Sequence, residues 1–251
     1  MEKTYLHNPE LEGDAFFWKA GSTGILLSHG YTATTAEIRL LAQNLFEKGF
    51  SVAGPLLPGH GTRPTDLNQV SWKDWTAEGE RTYQYLKNHC DKVIVGGESM
   101  GALVALYLAS QHSEIAGVLC YAPAIKLTLS TIDIIKLYLG SPFLTQVGRS
   151  SLDCSDNWQG YPGLPLKGAL QLLKMQKAIK TQLSQIHQPV LIFQGKEDTT
   201  VAKEAGELIL NGIQSATKEL HWMDYSSHAI TLDRELDEVT RITIDFIKNK
   251  I

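Results

Sequence analysis

Cysteine is scarce in this chain, with three in 251 residues: Cys90, Cys120 and Cys154. An odd count with no metal-ligand spacing argues against a disulfide framework and against a thiolate metal site. The three read as small, buried or half-buried apolar residues, which suits a reducing compartment. Strong charge is missing too. A net charge of -4 gives no electrostatic reason to expect nucleic acid or an anionic membrane as partner. No uncharged apolar run is long enough to span a bilayer, and residues 1–9 hold no apolar core of signal-peptide length. The expectation is a cytoplasmic, soluble protein without stable membrane insertion. Internal repeats and low-complexity tracts are also absent. What remains is a chain long enough for one large domain with a substantial core.

Short apolar runs at residues 15–18, 25–28, 51–54, 93–97, 116–121, 189–195 and 218–222 read as strands. Most are apolar without alternation, as a strand buried on both faces must be. Helical spacing fills the intervals at about 35–48, 72–88, 100–111, 202–211 and 232–249. Alternating strands and helices of this kind predict an α/β fold: a mainly parallel sheet covered by helices on both faces. Ligand chemistry in such sheets gathers where the strands end. Residues 122–188 are longer than any other connection, with helical segments at 132–139 and 164–183 and an irregular stretch at 150–163. They are expected to form a cap inserted between core pieces 1–121 and 189–251. Its apolar underside would bind an apolar group of a substrate.

The most informative stretch runs from Val93 to Leu106. An apolar strand leads into Gly97-Glu98-Ser99-Met100-Gly101, and an unbroken helix of small and apolar residues follows. Gly-x-Ser-x-Gly alone recurs by chance, but strand, turn and helix around it are the context of a nucleophile elbow. A serine on so sharp a turn brings its neighbours two before and two after too close to carry side chains. The turn also sets Ser99 at a helix N-terminus, where free N–H groups favour a developing negative charge.

A serine hydroxyl needs a base, and the base needs an acid to orient it. In elbow architectures these follow in the order nucleophile, acid, histidine, each at a strand end. Asp198 and His228 are assigned on that ground. Glu197 and Asp224 are the rival acids. His29 and His60 lie ahead of the serine, and His29 reads as a structural, hydrogen-bonded residue. The backbone N–H groups of Tyr31 and Met100 are the expected oxyanion hole.

With these residues placed, the chain resembles the α/β-hydrolase superfamily along its whole length. Within it, the closer resemblance is to bacterial carboxylesterases related to monoacylglycerol lipases. The resemblance rests on His29-Gly30-Tyr31-Thr32, Pro58-Gly59-His60-Gly61, the elbow, and residues 227–233, Ser-His-Ala-Ile-Thr-Leu-Asp. It implies hydrolysis of short- to medium-chain carboxylic esters or monoacylglycerols, with no cofactor and a small-molecule ester with an apolar acyl group as partner. A feruloyl esterase, thioesterase, carbon–carbon bond hydrolase or peptidase would use the same triad, and a non-catalytic binding protein would share the fold. Glu98 departs from the pattern, since an uncharged residue is often found there.

Overall fold

The computed structural model describes residues 5–148 and 156–251. Cys154 and the start of the 150–163 stretch lie outside them. In chain order the elements are β1 (Phe16–Trp18), β2 (Thr23–Ser28), α1 (Ala36–Glu47), β3 (Ser51–Gly54), α2 (Pro64–Leu67), α3 (Trp72–Lys87), β4 (Lys92–Glu98), α4 (Met100–Gln111) and β5 (Gly117–Tyr121). They continue with α5 (Thr131–Gly140), β6 (Gln146–Gly148), β7 (Gly163–Pro165), α6 (Leu166–Lys180), β8 (Val190–Gly195), α7 (Ala205–Gly212), β9 (Lys218–Met223) and α8 (Leu236–Lys250).

Seven strands form one sheet in the order β1-β3-β2-β4-β5-β8-β9. Only β1 on β3 is antiparallel; every other pair is parallel. Side chains alternate between faces along a strand, and here both faces are covered. Leu26, Val95, Val118 and Ile192 join an apolar cluster with residues of α3, α4 and α6. Ile25, Leu27, Ile94, Leu119, Leu191 and Phe193 join a second cluster with residues of α1 and α8. This two-sided burial is why the strands read as unbroken apolar runs. The covering helices differ for the same reason. α4 is buried at nearly every position from Met100 to Ala109, as a helix apolar all round must be. α8 buries Val239, Thr240, Thr243, Ile244, Phe246 and Ile247 and turns its charged residues outward.

Several boundaries differ from the expectation, and two of the differences have a visible cause. The last helix starts at Leu236, after a short 3₁₀ turn at Ile230–Leu232. Asp233 instead accepts hydrogen bonds from Ser227, and Glu235 from Tyr225 and Ser226. Side chains that bond to a neighbouring loop compete with helix initiation. α6 starts at Leu166 because Gly163–Pro165 pairs with Gln146–Gly148 in a two-stranded sheet. The residue before a proline favours extended backbone. Within residues 122–188, α6 packs into the same apolar cluster as α3 and α4. α5 buries one residue, Leu137, and leaves Ile132, Ile135, Tyr138 and Leu139 exposed.

Candidate active site

The elbow forms between β4 and α4. Ser99 has φ 55 and ψ -110, a backbone conformation that costs of order 1–3 kcal/mol in a non-glycine residue. Neighbouring backbone holds it there. The Ser99 N–H donates to Tyr121 O at 2.8 Å, and the Ala124 N–H donates to Ser99 O at 3.1 Å. The two glycines are needed where the turn closes on itself and on the end of β2. A Cβ at Gly97 would lie 2.5 Å from both the Gly101 carbonyl carbon and the Ser28 oxygen. A Cβ at Gly101 would collide with the Ser28 carbonyl, 2.5 Å from its carbon. Because these contacts are to backbone, Gly101→Ala has no flexible side chain to push aside. It is expected to cost about 3 kcal/mol or more, seen as a drop of about 6–12 °C in Tm for a chain of this size. An unchanged melt would show that the elbow can open.

The same close packing sets the segment after β2 against the serine. A Cβ on Gly30 would come within 3.3 Å of Ser99 Cβ. Tyr31 is the next residue after Gly30, and Met100, the first residue of α4, directly follows Ser99. The first N–H groups of a helix have no partner within it. The Tyr31 side chain donates from Oη to Pro165 O at 2.5 Å.

His228 lies in the loop after β9 and Asp198 in the loop after β8. His228 Nε2 is 3.0 Å from Ser99 Oγ, and its Nδ1 is 2.9 Å from Asp198 Oδ2. The other Asp198 oxygen accepts the N–H groups of Thr200 at 2.7 Å and Val201 at 2.9 Å. Burial pushes the Asp198 carboxyl up. The His228 charge, its hydrogen bond and the two backbone donors outweigh this and hold Asp198 below the usual carboxylate range. Burial pushes His228 down, but Asp198 first, then Glu98 and Glu37, outweigh burial and raise it to about 9.

The rival acids lie outside this arrangement. Glu197 is exposed, and Asp224 pairs with Lys196 on the surface at 2.6 Å. His29 is structural. The Leu57 N–H donates to its Nε2 at 3.0 Å while its Nδ1 lies 2.9 Å from Gly30 O, and burial lowers it to about 4. His60 packs against it, ring centroids 4.8 Å apart, and burial likewise keeps it neutral.

Three residues that the sequence did not single out for the site, Glu37, Trp158 and Tyr161, are tied to the loops around it: Glu37 accepts from the Gly30 N–H, and the Tyr161 N–H donates to Thr32 O at 2.9 Å. Trp158 Nε1 donates to Glu37 Oε1 at 3.0 Å, and Tyr161 Oη donates to Gly59 O at 2.7 Å. Glu37 carried no usable signal, because an acidic residue in the first turn of a helix ordinarily just complements the dipole. Among the described residues no group of three or more His, Cys, Asp or Glu is placed to hold a metal, and no helix is long and apolar enough to cross a membrane.

Known proteins resemble this chain along most of its length. The model of the Hydrolase_4 family, described as "Serine aminopeptidase, S33", matches residues 22–152 and 154–235. The chain is 31% identical over 239 residues to a thermostable monoacylglycerol lipase of Bacillus sp. (strain H-257), covering 95% of this chain and 96% of that one. It is 26% identical to a carboxylesterase of Bacillus subtilis (strain 168), over 93% of this chain and 95% of the other. A solved structure from work on LipS and LipT, two metagenome-derived lipolytic enzymes, superposes with a TM-score of 0.88 at 29% identity, covering 95% of this chain and 98% of its own. Matched along most of its length by the family model, and folded around the elbow and sheet described above, this chain belongs to the Hydrolase_4 family of α/β-hydrolase-fold serine hydrolases.

Proposed function

We propose that this protein is a serine esterase of the carboxylesterase and monoacylglycerol-lipase type. It hydrolyses short- to medium-chain carboxylic esters or monoacylglycerols through an acyl-enzyme. The observation that carries the reading is His228, held between Ser99 Oγ at 3.0 Å and Asp198 Oδ2 at 2.9 Å. Ser99 attacks the ester carbonyl while His228 Nε2 takes its proton, and Asp198 stabilises the imidazolium. The oxyanion rests on the N–H groups of Tyr31 and Met100. His228 then returns the proton to the leaving alcohol. Water, activated by the same histidine, releases the acid and regenerates the Ser99 hydroxyl.

Residues 122–188 act as the cap over this site. Support comes from their contacts with the residues that border Ser99: Pro165 accepts from Tyr31, and Trp158 donates to Glu37. Ser99 is 7% exposed, so the reaction is largely shielded from bulk water, which strengthens the interactions inside.

The family description favours a second reading, peptide hydrolysis from a free amino end. That reaction calls for a carboxylate facing the substrate ammonium. Besides Asp198, the carboxylates beside the elbow, Glu37 and Glu98, are instead buried and engaged by Gly30, Trp158 and Thr231. The deciding experiment compares p-nitrophenyl esters from acetate to palmitate with monoacylglycerols and with aminoacyl p-nitroanilides. Esters of short to medium chain are expected to be cleaved and anilides left intact, with rates rising from pH 6 towards pH 9 as His228 loses its proton. Faster cleavage of the anilides would replace the esterase reading with the peptidase one.

A further inference from the structure

Behind the elbow lie two carboxyl groups that this acyl-transfer cycle does not use. Glu98, the residue before the nucleophile, is completely buried, and Glu37 in the first turn of α1 is 5% exposed. Two carboxyls kept together out of water are costly, through lost solvation and through their mutual repulsion. Each holds a loop that the reaction needs. Glu37 Oε2 accepts the N–H of Gly30 at 2.5 Å, one residue before Tyr31. Glu98 Oε2 accepts the N–H of Thr231 at 3.2 Å, three residues after His228. Thr231 Oγ1 in turn donates to the Glu37 carbonyl at 2.8 Å, so one threonine ties the histidine loop to both acidic residues. Among the described residues Glu98 Oε1 is buried with no hydrogen-bond partner, and a buried polar atom left so calls for a reason.

We propose that Glu98 is a positioning residue for His228, one half of a buried Glu98–Glu37 pair that fastens the His228 and Tyr31 loops to the back of the elbow and whose charge acts on the His228 imidazole. The inference rests on the reading of Ser99, His228 and Asp198 as the catalytic set. The titratable and polar groups that face Glu98 are Glu37 from α1, His228 and Thr231 from the loop after β9, and Tyr121 from β5. Tyr121 is bonded to Thr243 of α8 at 3.1 Å, and burial keeps its phenol protonated. Burial, then the charge of Glu37, push Glu98 up to about 8. Glu98 is therefore largely neutral at pH 7 and becomes charged as the pH rises through about 8. That added charge favours the imidazolium, so it delays the loss of the His228 proton and also stabilises the ion formed in the transition state.

The test is the pH dependence of kcat and KM for p-nitrophenyl butyrate from pH 6 to pH 10, in wild type, Glu98→Gln and Glu98→Asp. Glutamine keeps an oxygen for Thr231 but never charges. The rising limb of kcat/KM in Glu98→Gln is expected to move to lower pH by about half a unit, which is about threefold in free base at a given pH. Its plateau kcat should fall while KM holds. Aspartate keeps the charge but is too short to reach Thr231, so its limb should stay near that of wild type while kcat falls. A Glu98→Gln profile that superposes on wild type would overturn the proposal. A second measurement needs neither a variant nor a substrate: an NMR titration of His228 in ¹³C-histidine-labelled wild type. Two inflections are expected, one near pH 8 from Glu98 and one from the imidazole, whereas a single sigmoid would overturn the proposal. Because the titration reads His228 directly, it separates failure of this proposal from failure of the esterase reading.

Discussion

Ser99→Ala is expected to lower kcat/KM for p-nitrophenyl butyrate by about 10⁴- to 10⁶-fold, the range seen when a serine nucleophile is deleted from a working triad. The structure says why this loss should be chemical rather than structural. Ser99 Oγ makes one hydrogen bond among those described, to His228. The strained backbone is held by the N–H and C=O of residue 99, through Tyr121 and Ala124, and alanine keeps both. Alanine also keeps the Cβ, so the strain at φ 55 is neither relieved nor made worse. The melting temperature of the variant is therefore expected to lie within about 2 °C of wild type, the change that a few tenths of a kcal/mol produces in a chain of this length. Kinetics and a circular-dichroism melt on the same preparations check both halves. A variant retaining a tenth or more of the wild-type rate would remove Ser99 from the mechanism.

Asp198→Asn is expected to cost about 10⁴-fold in kcat at neutral pH, as the equivalent change does in triads of this geometry. The amide introduced by this substitution retains an oxygen to accept the Thr200 and Val201 N–H groups, so the loop after β8 should keep its shape. Its N–H₂ is then left facing His228 Nδ1. Nδ1 becomes the acceptor and Nε2 carries the proton, and a protonated Nε2 cannot take one from Ser99. A second effect has a definite sign. Asp198 is the largest influence raising His228 to about 9, so its neutral replacement lowers the histidine. The residual activity should therefore appear at lower pH than in wild type. The measurement is kcat/KM against pH for both proteins. A loss smaller than tenfold, or a rising limb that stays in place, would return the acid role to a rival such as Asp224.

How much of this was legible beforehand differs from residue to residue. The β4–Ser99–α4 unit was legible because its determinants are local. A strand buried on both faces must be apolar at consecutive positions, and the elbow demands glycine where a Cβ would strike backbone. Asp198 and His228 were legible because each follows a recognisable strand, and chain order did the rest. The start of α8 was not legible. Asp233 and Glu235 look like helix-initiating acids, yet their carboxylates bond to Ser227, Tyr225 and Ser226 instead.

Glu37 and Trp158 show the limit most clearly. They are 121 residues apart and meet at 3.0 Å. Periodicity reports which face of a helix is apolar on average; it does not report that one carboxylate on that helix is buried against a backbone N–H of Gly30 and an indole from the insert. The exposed apolar face of α5 was hidden in the same way, since its spacing resembles that of any core helix until the neighbours are known. The order of amino acids was thus enough to set the sheet, the elbow and the chain order of Ser99, Asp198 and His228, each of which depends on contacts within a few residues or on the two faces of one strand. The buried carboxyl pair, the tie between Tyr31 and Pro165 and the charge around His228 came from folding alone. Burial and electrostatics at a point are sums over groups far apart in the chain, and only packing brings those groups to one place.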